Sequence, residues 1–233
     1  MPGRLGVLVF VATVALYAWA MAPVPFYGKG DAREALVVRA ILEGHGVILP
    51  RRDGHEMPSK PPFFHWLAAL AARAGVTPAE LAMRLPSIVL AAGALALVAA
   101  RTAAAHGPAA GVLAAAVLGS SLEWLRAATA SRVDMTLTAC VLVAILCWHA
   151  GGRLGVRIGY LAAALAVLTK GPVGLVLPVL VAGADALAAR DPARLRRLAD
   201  LPGAALAGAV VVGWYLLAWQ SGATPVLVIN KSD

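Results

Sequence analysis

Asp31 and Glu34 stand three residues apart in the stretch Gly28-Lys29-Gly30-Asp31-Ala32-Arg33-Glu34, just after a long apolar run. At that spacing two carboxylates share a helix face, and one fixed near a helix start stays ionised and can serve as a general base. The same spacing is that of a capping box, with Asp31 as N-cap and Glu34 as its reciprocal partner, so both readings stand. Lys60 precedes Pro61 and Pro62, which hold its approach extended and present the ammonium from a stiff segment. Such a cation suits a lipid phosphate, or equally an interfacial anchor for the helix that follows. Arg132 and Asp134, in the stretch SRVDM, are ionisable groups at the edge of an apolar run, where charge is costly and usually paired or functional. The plain alternative is a helix-start acid beside an interfacial arginine. Lys170 is a further cation set among apolar residues. His55 beside Glu56 leaves a divalent metal open, but no HExxH or other tight ligand spacing supports it, and the sequence makes no cofactor certain. No Walker loop, GxSxG or post-strand GxGxxG occurs, which removes soluble nucleotide chemistry.

The elements that position these residues are membrane helices. Of 233 residues 61% are hydrophobic and the mean hydropathy is +0.79, above the roughly 45–50% apolar share of soluble domains. Apolar runs recur at Gly6 to Ala22, Leu85 to Ala100, Gly107 to Leu122, Met135 to Trp148, Gly159 to Ala189 and Gly203 to Trp219, several of them slightly short of the ~20 residues that span a bilayer. The formal charge of +8 sits mainly at the ends of these runs, where it orients helices and argues against nucleic acid as a partner. Cys140 and Cys147 fall in one predicted helix with Cα atoms ~10.5 Å apart, too far for a disulfide. The first run ends in AWAMA, similar to a signal-peptidase site, but it is long for a signal-peptide core and reads as an uncleaved anchor.

Arginine placement fixes a topology if the run from Gly159 to Ala189 is divided at Lys170-Gly171-Pro172. Lys170 in a last turn, Gly171 as C-terminal cap and Pro172 opening the next helix make a stop-and-restart signal. Arg4, then Arg101 with His106, then Arg153 and Arg157, then Arg190, Arg194, Arg196 and Arg197 all fall on the cytoplasmic side, as the positive-inside bias requires. The predicted fold is an all-α bundle of about seven spans with a cytoplasmic amino terminus, the chain from 1 to 233 forming one module. The loop from Gly28 to about Met83 is then extracytoplasmic, and Asp31, Asp134 and Lys170 converge on that face. The loop itself is predicted to hold two surface helices. One opens at Asp31, sets Leu36, Val37, Ala40 and Ile41 on its apolar face and ends at Gly44. The other starts at Pro61-Pro62 with Phe63, Phe64, Trp66 and Leu67 at the membrane interface.

Taken in order, GDAREA, GHGVILP, SKPPFFHW, MRLPSIV, SRVDM and LTKGPVGLVLP resemble the motifs of one family over essentially the whole chain. The family is that of the bacterial GT-C membrane glycosyltransferases, related to dolichyl-phosphate-mannose protein mannosyltransferases and especially to lipid A aminoarabinose transferases. Its motifs read DExRYA, Gly-x-x-x-x-Pro, EKPPLxxW, RLPS, Arg-x-Asp and LTKGPLGxxLP. The resemblance implies transfer of a sugar from a polyprenyl-phosphate carrier to a lipid or protein acceptor, at the extracytoplasmic face of a bacterial inner membrane. It implies Asp31 or Glu34 as the acid that acts as base or orients the acceptor, Lys60 and Arg33 at the donor phosphate, and Arg132, Asp134 and Lys170 in support. With Arg33 in register, Gly30 takes the place of the leading aspartate and Asp31 that of the following glutamate. Ser59 stands where the family often has glutamate before Lys-Pro, which weakens a metal role further. Family members usually continue into further spans and a carboxy-terminal part. The chain is therefore expected to be their amino-terminal half, inactive by itself or served by a second chain that supplies the rest. The rival expectations are a non-catalytic lipid-binding subunit and a lipid transporter or flippase, the latter lacking the internal repeat it needs.

Overall fold

The computed structural model describes residues 2–51 and 60–222 of the chain. They form α1 (Pro2–Met21), α2 (Lys29–Leu42), α3 (Phe63–Arg73), α4 (Ala79–His106), α5 (Pro108–Gly119), α6 (Leu122–Thr129), α7 (Val133–Ala150), α8 (Arg153–Lys170), α9 (Val173–Ala188), α10 (Ala193–Arg196) and α11 (Leu201–Gln220), with no strand among the described residues. The chain is a polytopic helical membrane protein. Every apolar run of the sequence is helical, and α1, α4, α7 and α11 are each long and apolar enough to cross a bilayer. The third run differs from a plain span. It breaks into α5 and α6 with a bend of 72° at Gly119-Ser120-Ser121, where the two serine hydroxyls donate to the carbonyls of Val117 and Leu118 and end the helix ladder. Counted as one bent span, that pair brings the total to five. The two halves of the divided run are less typical spans: α8 carries Arg153, Arg157 and Lys170 within its 18 residues, and α9 has 16.

The chain divides into two compact units, residues 1–42 with 64–139 and residues 43–63 with 140–233. In the first, α1 and α5 lie along α4, and glycine permits the approach. A Cβ on Gly6 would stand 3.2 Å from the Ala96 carbonyl, and one on Gly111 would collide with Ala99 and Ala103. Small residues at helix contacts are how apolar helices pack without a hydrophobic driving force, and the buried face of α4 is accordingly Ala91, Ala92, Ala94, Leu95 and Ala99. Tyr17 on α1 donates its hydroxyl to the Gly119 carbonyl at 3.0 Å. The surface helices form as the periodicity predicts, with α2 laying Val38 and Ile41 against Ala68 and Ala69 of α3, rimmed by Leu42, Trp66 and Met83. Two expectations change here. Leu36 is exposed while Val38 takes the core position, and Phe64 is fully buried rather than interfacial, set edge-on to His65.

In the second unit α8 packs between α9 and α11. The Lys170-Gly171-Pro172 division forms as expected: α8 ends at Lys170, Gly171 takes φ 79° and donates its N–H to Val167, and Pro172 leads into α9. The hairpin closes tightly enough that a Cβ on Gly174 would overlap the Ala166 backbone. Trp148, Val156, Ala162 and Ala163 make the core, and Tyr160 reaches past Trp148 to donate to the Leu198 carbonyl at 2.8 Å. The turn-rich segment after Gly44 is fastened in this unit by Trp214, whose indole N–H donates to Ile48 at 3.2 Å. Cys140 and Cys147 are both free thiols. Across the two units, Val7, Leu8, Val11 and Trp19 on α1, Val179 and Leu180 on α9 and Val212 and Leu216 on α11 are exposed, the surface a hydrocarbon solvent requires and water penalises.

Candidate active site

The first unit has a concavity of about 330 Å³ lined by Val24, Tyr27, Gly28, Gly30, Asp31, Arg84, Arg126, Thr129, Ala130 and Arg132. Three junctions build it: the α1 to α2 link, the start of α4 and the α6 to α7 link. Asp31 is not the N-cap that the capping box predicts. The helix begins two residues earlier at Lys29, and the Ala32 N–H bonds back to the Gly28 carbonyl at 3.2 Å. That shift releases the Asp31 carboxylate from capping and turns it into the concavity, where it accepts from the Ser131 backbone N–H. Partial burial holds its pKa above the ordinary carboxylate range, while the positive charges of Arg84 and Arg132 and the Ser131 N–H draw it back, and Glu34 pushes it up. An acid whose proton affinity is set by opposing neighbours in this way is suited to exchange a proton with a bound group.

Glu34 is not a reciprocal cap either. It is buried, with Oε2 2.7 Å from Nε2 of the fully buried His65 and Oε1 3.9 Å from Arg33, whose side chain is half exposed. A carboxylate so deep needs such a partner, and the pair ties α2 to α3. Arg132 precedes α7 and lies 3.4 Å from Asp134 in that helix's first turn. Gly30, which stands where the family has its leading aspartate, adjoins that arginine: a Cβ there would sit 3.6 Å from Arg132 Nε.

Arg84 also lines the concavity, a residue that the sequence reading does not single out. It is 3% exposed on α4, and its guanidinium donates to the carbonyls of Met21, Val24 and Pro25, at 3.4 Å for the first and 3.0 Å for the last. It also lies 4.8 Å from the Phe26 ring, a cation–π distance. The link it grips has prolines at 23 and 25, so it lacks amide donors for a ladder of its own. An arginine inside an apolar helix, present in the MRLPSIV motif, is the sequence signal for it.

Thus Asp31 and Arg132 share one concavity, with Asp134 and Glu34 close behind it. Lys60 and Lys170 belong to the second unit. Lys60 is half-buried and leads into the buried Pro61 and Pro62; Lys170 is exposed at the end of α8. His55, Glu56 and Ser59 lie outside the described residues. Among the described residues no cluster of three or more His, Cys, Asp or Glu side chains could hold a metal.

The profile of the dolichyl-phosphate-mannose-protein mannosyltransferase family matches residues 59–219. The crystal structure of ArnT from Cupriavidus metallidurans bound to undecaprenyl phosphate superposes with a TM-score of 0.83 at 23% identity, over 94% of this chain and 42% of that one. Its apo form gives 0.84 at 24% identity, over 97% and 44%. The likeness is one of fold, and the chain spans less than half the length of either structure. No curated protein matches the sequence.

Proposed function

The chain belongs to the dolichyl-phosphate-mannose-protein mannosyltransferase family, and from that membership we propose that it is a glycosyltransferase module using a polyprenyl-phosphate-linked sugar. The acceptor is a lipid or a protein hydroxyl at the extracytoplasmic face of a bacterial inner membrane. The observation that supports this most is Asp31, turned into a concavity between Arg84 and Arg132 instead of capping its helix. In the proposed step Asp31 accepts the acceptor's proton as the acceptor oxygen bonds to the sugar C1. The bond from C1 to the phosphate oxygen breaks, and polyprenyl phosphate leaves with its charge met by a cation. Lys60, from the SKPPFFHW motif, is the proposed cation, with Arg33 beside it in role; Arg132, Asp134 and Lys170 support. That a structural neighbour was crystallised with undecaprenyl phosphate favours a carrier of this length and chemistry.

The test is sugar transfer in membranes from the protein that carries this chain. Asp31→Asn keeps the size and removes the base, so transfer is expected to fall by roughly a hundredfold or more, the scale of a general base, with membrane insertion unchanged. Undiminished turnover would sink the assignment. Lys60→Ala is expected to raise KM for the lipid donor and leave that for the acceptor alone, and an effect confined to the acceptor contradicts its role. Carrier binding without turnover in the unsubstituted protein points to a lipid-binding subunit instead.

A further inference from the structure

The α9 to α11 connection carries Arg190, Arg194, Arg196 and Arg197, the first turns of α8 add Arg153 and Arg157, and the structure divides these six into two sets. Arg194 puts Nη1 2.8 and 2.7 Å from the two Asp185 oxygens, and Arg157 of α8 donates to Asp200 at 3.1 Å. Asp200 in turn caps α11 by accepting from the Gly203 N–H at 2.8 Å. These ion pairs clamp the connection onto the ends of α8, α9 and α11 and use up their own charges. Arg190, Arg196 and Arg197 on the connection, with Arg153 at the start of α8, are exposed and have no acidic partner within 4.0 Å among the described residues.

Arg190 adds a second sign. It ends α9 with φ 51°, the left-handed conformation that glycine adopts freely and other residues do not. A cation occupies a position where backbone geometry favours glycine. The apolar side chains interleaved with these arginines are also exposed: Leu187 at 79%, Leu195 at 46% and Leu201 at 81%. Leucine left in the open beside arginine, at the ends of two lipid-facing helices, is the composition of a segment lying at the boundary between hydrocarbon and headgroups.

We propose that Arg190, Arg196 and Arg197, with Arg153, form a binding surface for anionic phospholipid headgroups, held open by the Asp185–Arg194 and Asp200–Arg157 ion pairs and seated in the leaflet by Leu187, Leu195 and Leu201. The phosphodiester of an anionic lipid meets the guanidinium forks, and its acyl chains meet the leucines and the outer faces of α9 and α11. This surface is independent of any sugar transfer.

The chain purified in mild detergent is titrated with dioctanoyl phosphatidylglycerol, dioctanoyl phosphatidylcholine and inorganic phosphate, and bound lipid is counted by native mass spectrometry. Phosphatidylglycerol is expected to bind about tenfold or more tighter than phosphatidylcholine, an advantage that shrinks between 50 and 300 mM salt. Arg196→Gln with Arg197→Gln should remove most of that preference. Arg190→Gly relieves the backbone, so it should leave the thermal midpoint in detergent unchanged or raised while weakening phosphatidylglycerol. Equal binding of the two lipids, or a preference untouched by these substitutions, overturns the proposal. Displacement of the lipid by millimolar inorganic phosphate also overturns it, since the surface would then be a free-anion site.

Discussion

At Asp31 two opposed effects of similar kind set the proton affinity. Burial and the nearby Glu34 carboxylate favour the protonated acid, while Arg84, Arg132 and the Ser131 N–H favour the anion, and the net shift is upward. The sign for a base follows directly. The active form is the anion, so activity dependent on Asp31 is lost as pH falls through a pKa lying above the ordinary value of about 3.9. Removing one of the two arginines removes a force that lowers that pKa. Arg132→Gln should therefore move the acid limb of the transfer profile to higher pH, and an unmoved or lowered limb contradicts the electrostatic role. For stability the sign is the reverse. The raised pKa makes the protonated acid the form that favours folding, so Asp31 contributes most in acid and that contribution fades as pH rises through the folded-state value. At this scale the sequence was legible in type and misleading in geometry. The D-x-x-E spacing fits a capping box, but starting the helix at Lys29 moves Asp31 into the helix and sends Glu34 to His65. Nothing local announces His65, a partner 31 residues away on another helix.

Among the elements, the α8 to α9 hairpin shows how little sequence a close turn needs. Lys170, Gly171 and Pro172 supply a last-turn cation, a left-handed cap and a restricted restart, and these were readable because each acts through its own backbone. The tight approach that follows was not readable, because it depends on which residue faces Gly174 across the hairpin. Gly174→Ala places a methyl into the Ala166 backbone, where neither side is a flexible side chain that can swing away. The expected loss is about 1–3 kcal/mol, the cost of overpacking, read as a lower unfolding midpoint in detergent. Gly183→Ala in the same helix meets nothing within 4 Å and should be neutral or slightly stabilising, since alanine is the better helix former. If both variants behave alike, the cost is one of helix propensity and the close approach is unsupported. The break between α5 and α6 belongs to the same class. Gly119-Ser120-Ser121 was visible, but serines inside apolar runs also sit in straight helices, and only their bonds to Val117 and Leu118 mark the bend.

For the whole molecule, composition was enough to read a helical membrane protein, because a bilayer demands length and apolarity that few soluble sequences supply. Sidedness rests on a different force, the bias of arginine toward the cytoplasm. Within the first unit the structure joins the α1 to α2 link, the start of α4 and the α6 to α7 link at one concavity. One face of the membrane therefore holds Tyr27, Asp31 and Arg132, with Arg101 and His106 at the far end of the 28-residue α4. If the arginine bias governs, the concavity is extracytoplasmic. Single cysteines test this directly once Cys140 and Cys147 are replaced by alanine. In intact cells, Tyr27→Cys should react with a membrane-impermeant maleimide, while Arg101→Cys and Arg153→Cys should react only after the membrane is opened. The reverse pattern would put Asp31 on the cytoplasmic side, away from any extracytoplasmic acceptor. Labelling of both Tyr27→Cys and Arg101→Cys from outside would mean that α4 does not cross, which a 28-residue apolar helix whose arginines, Arg84 and Arg101, lie toward its two ends makes the least economical arrangement.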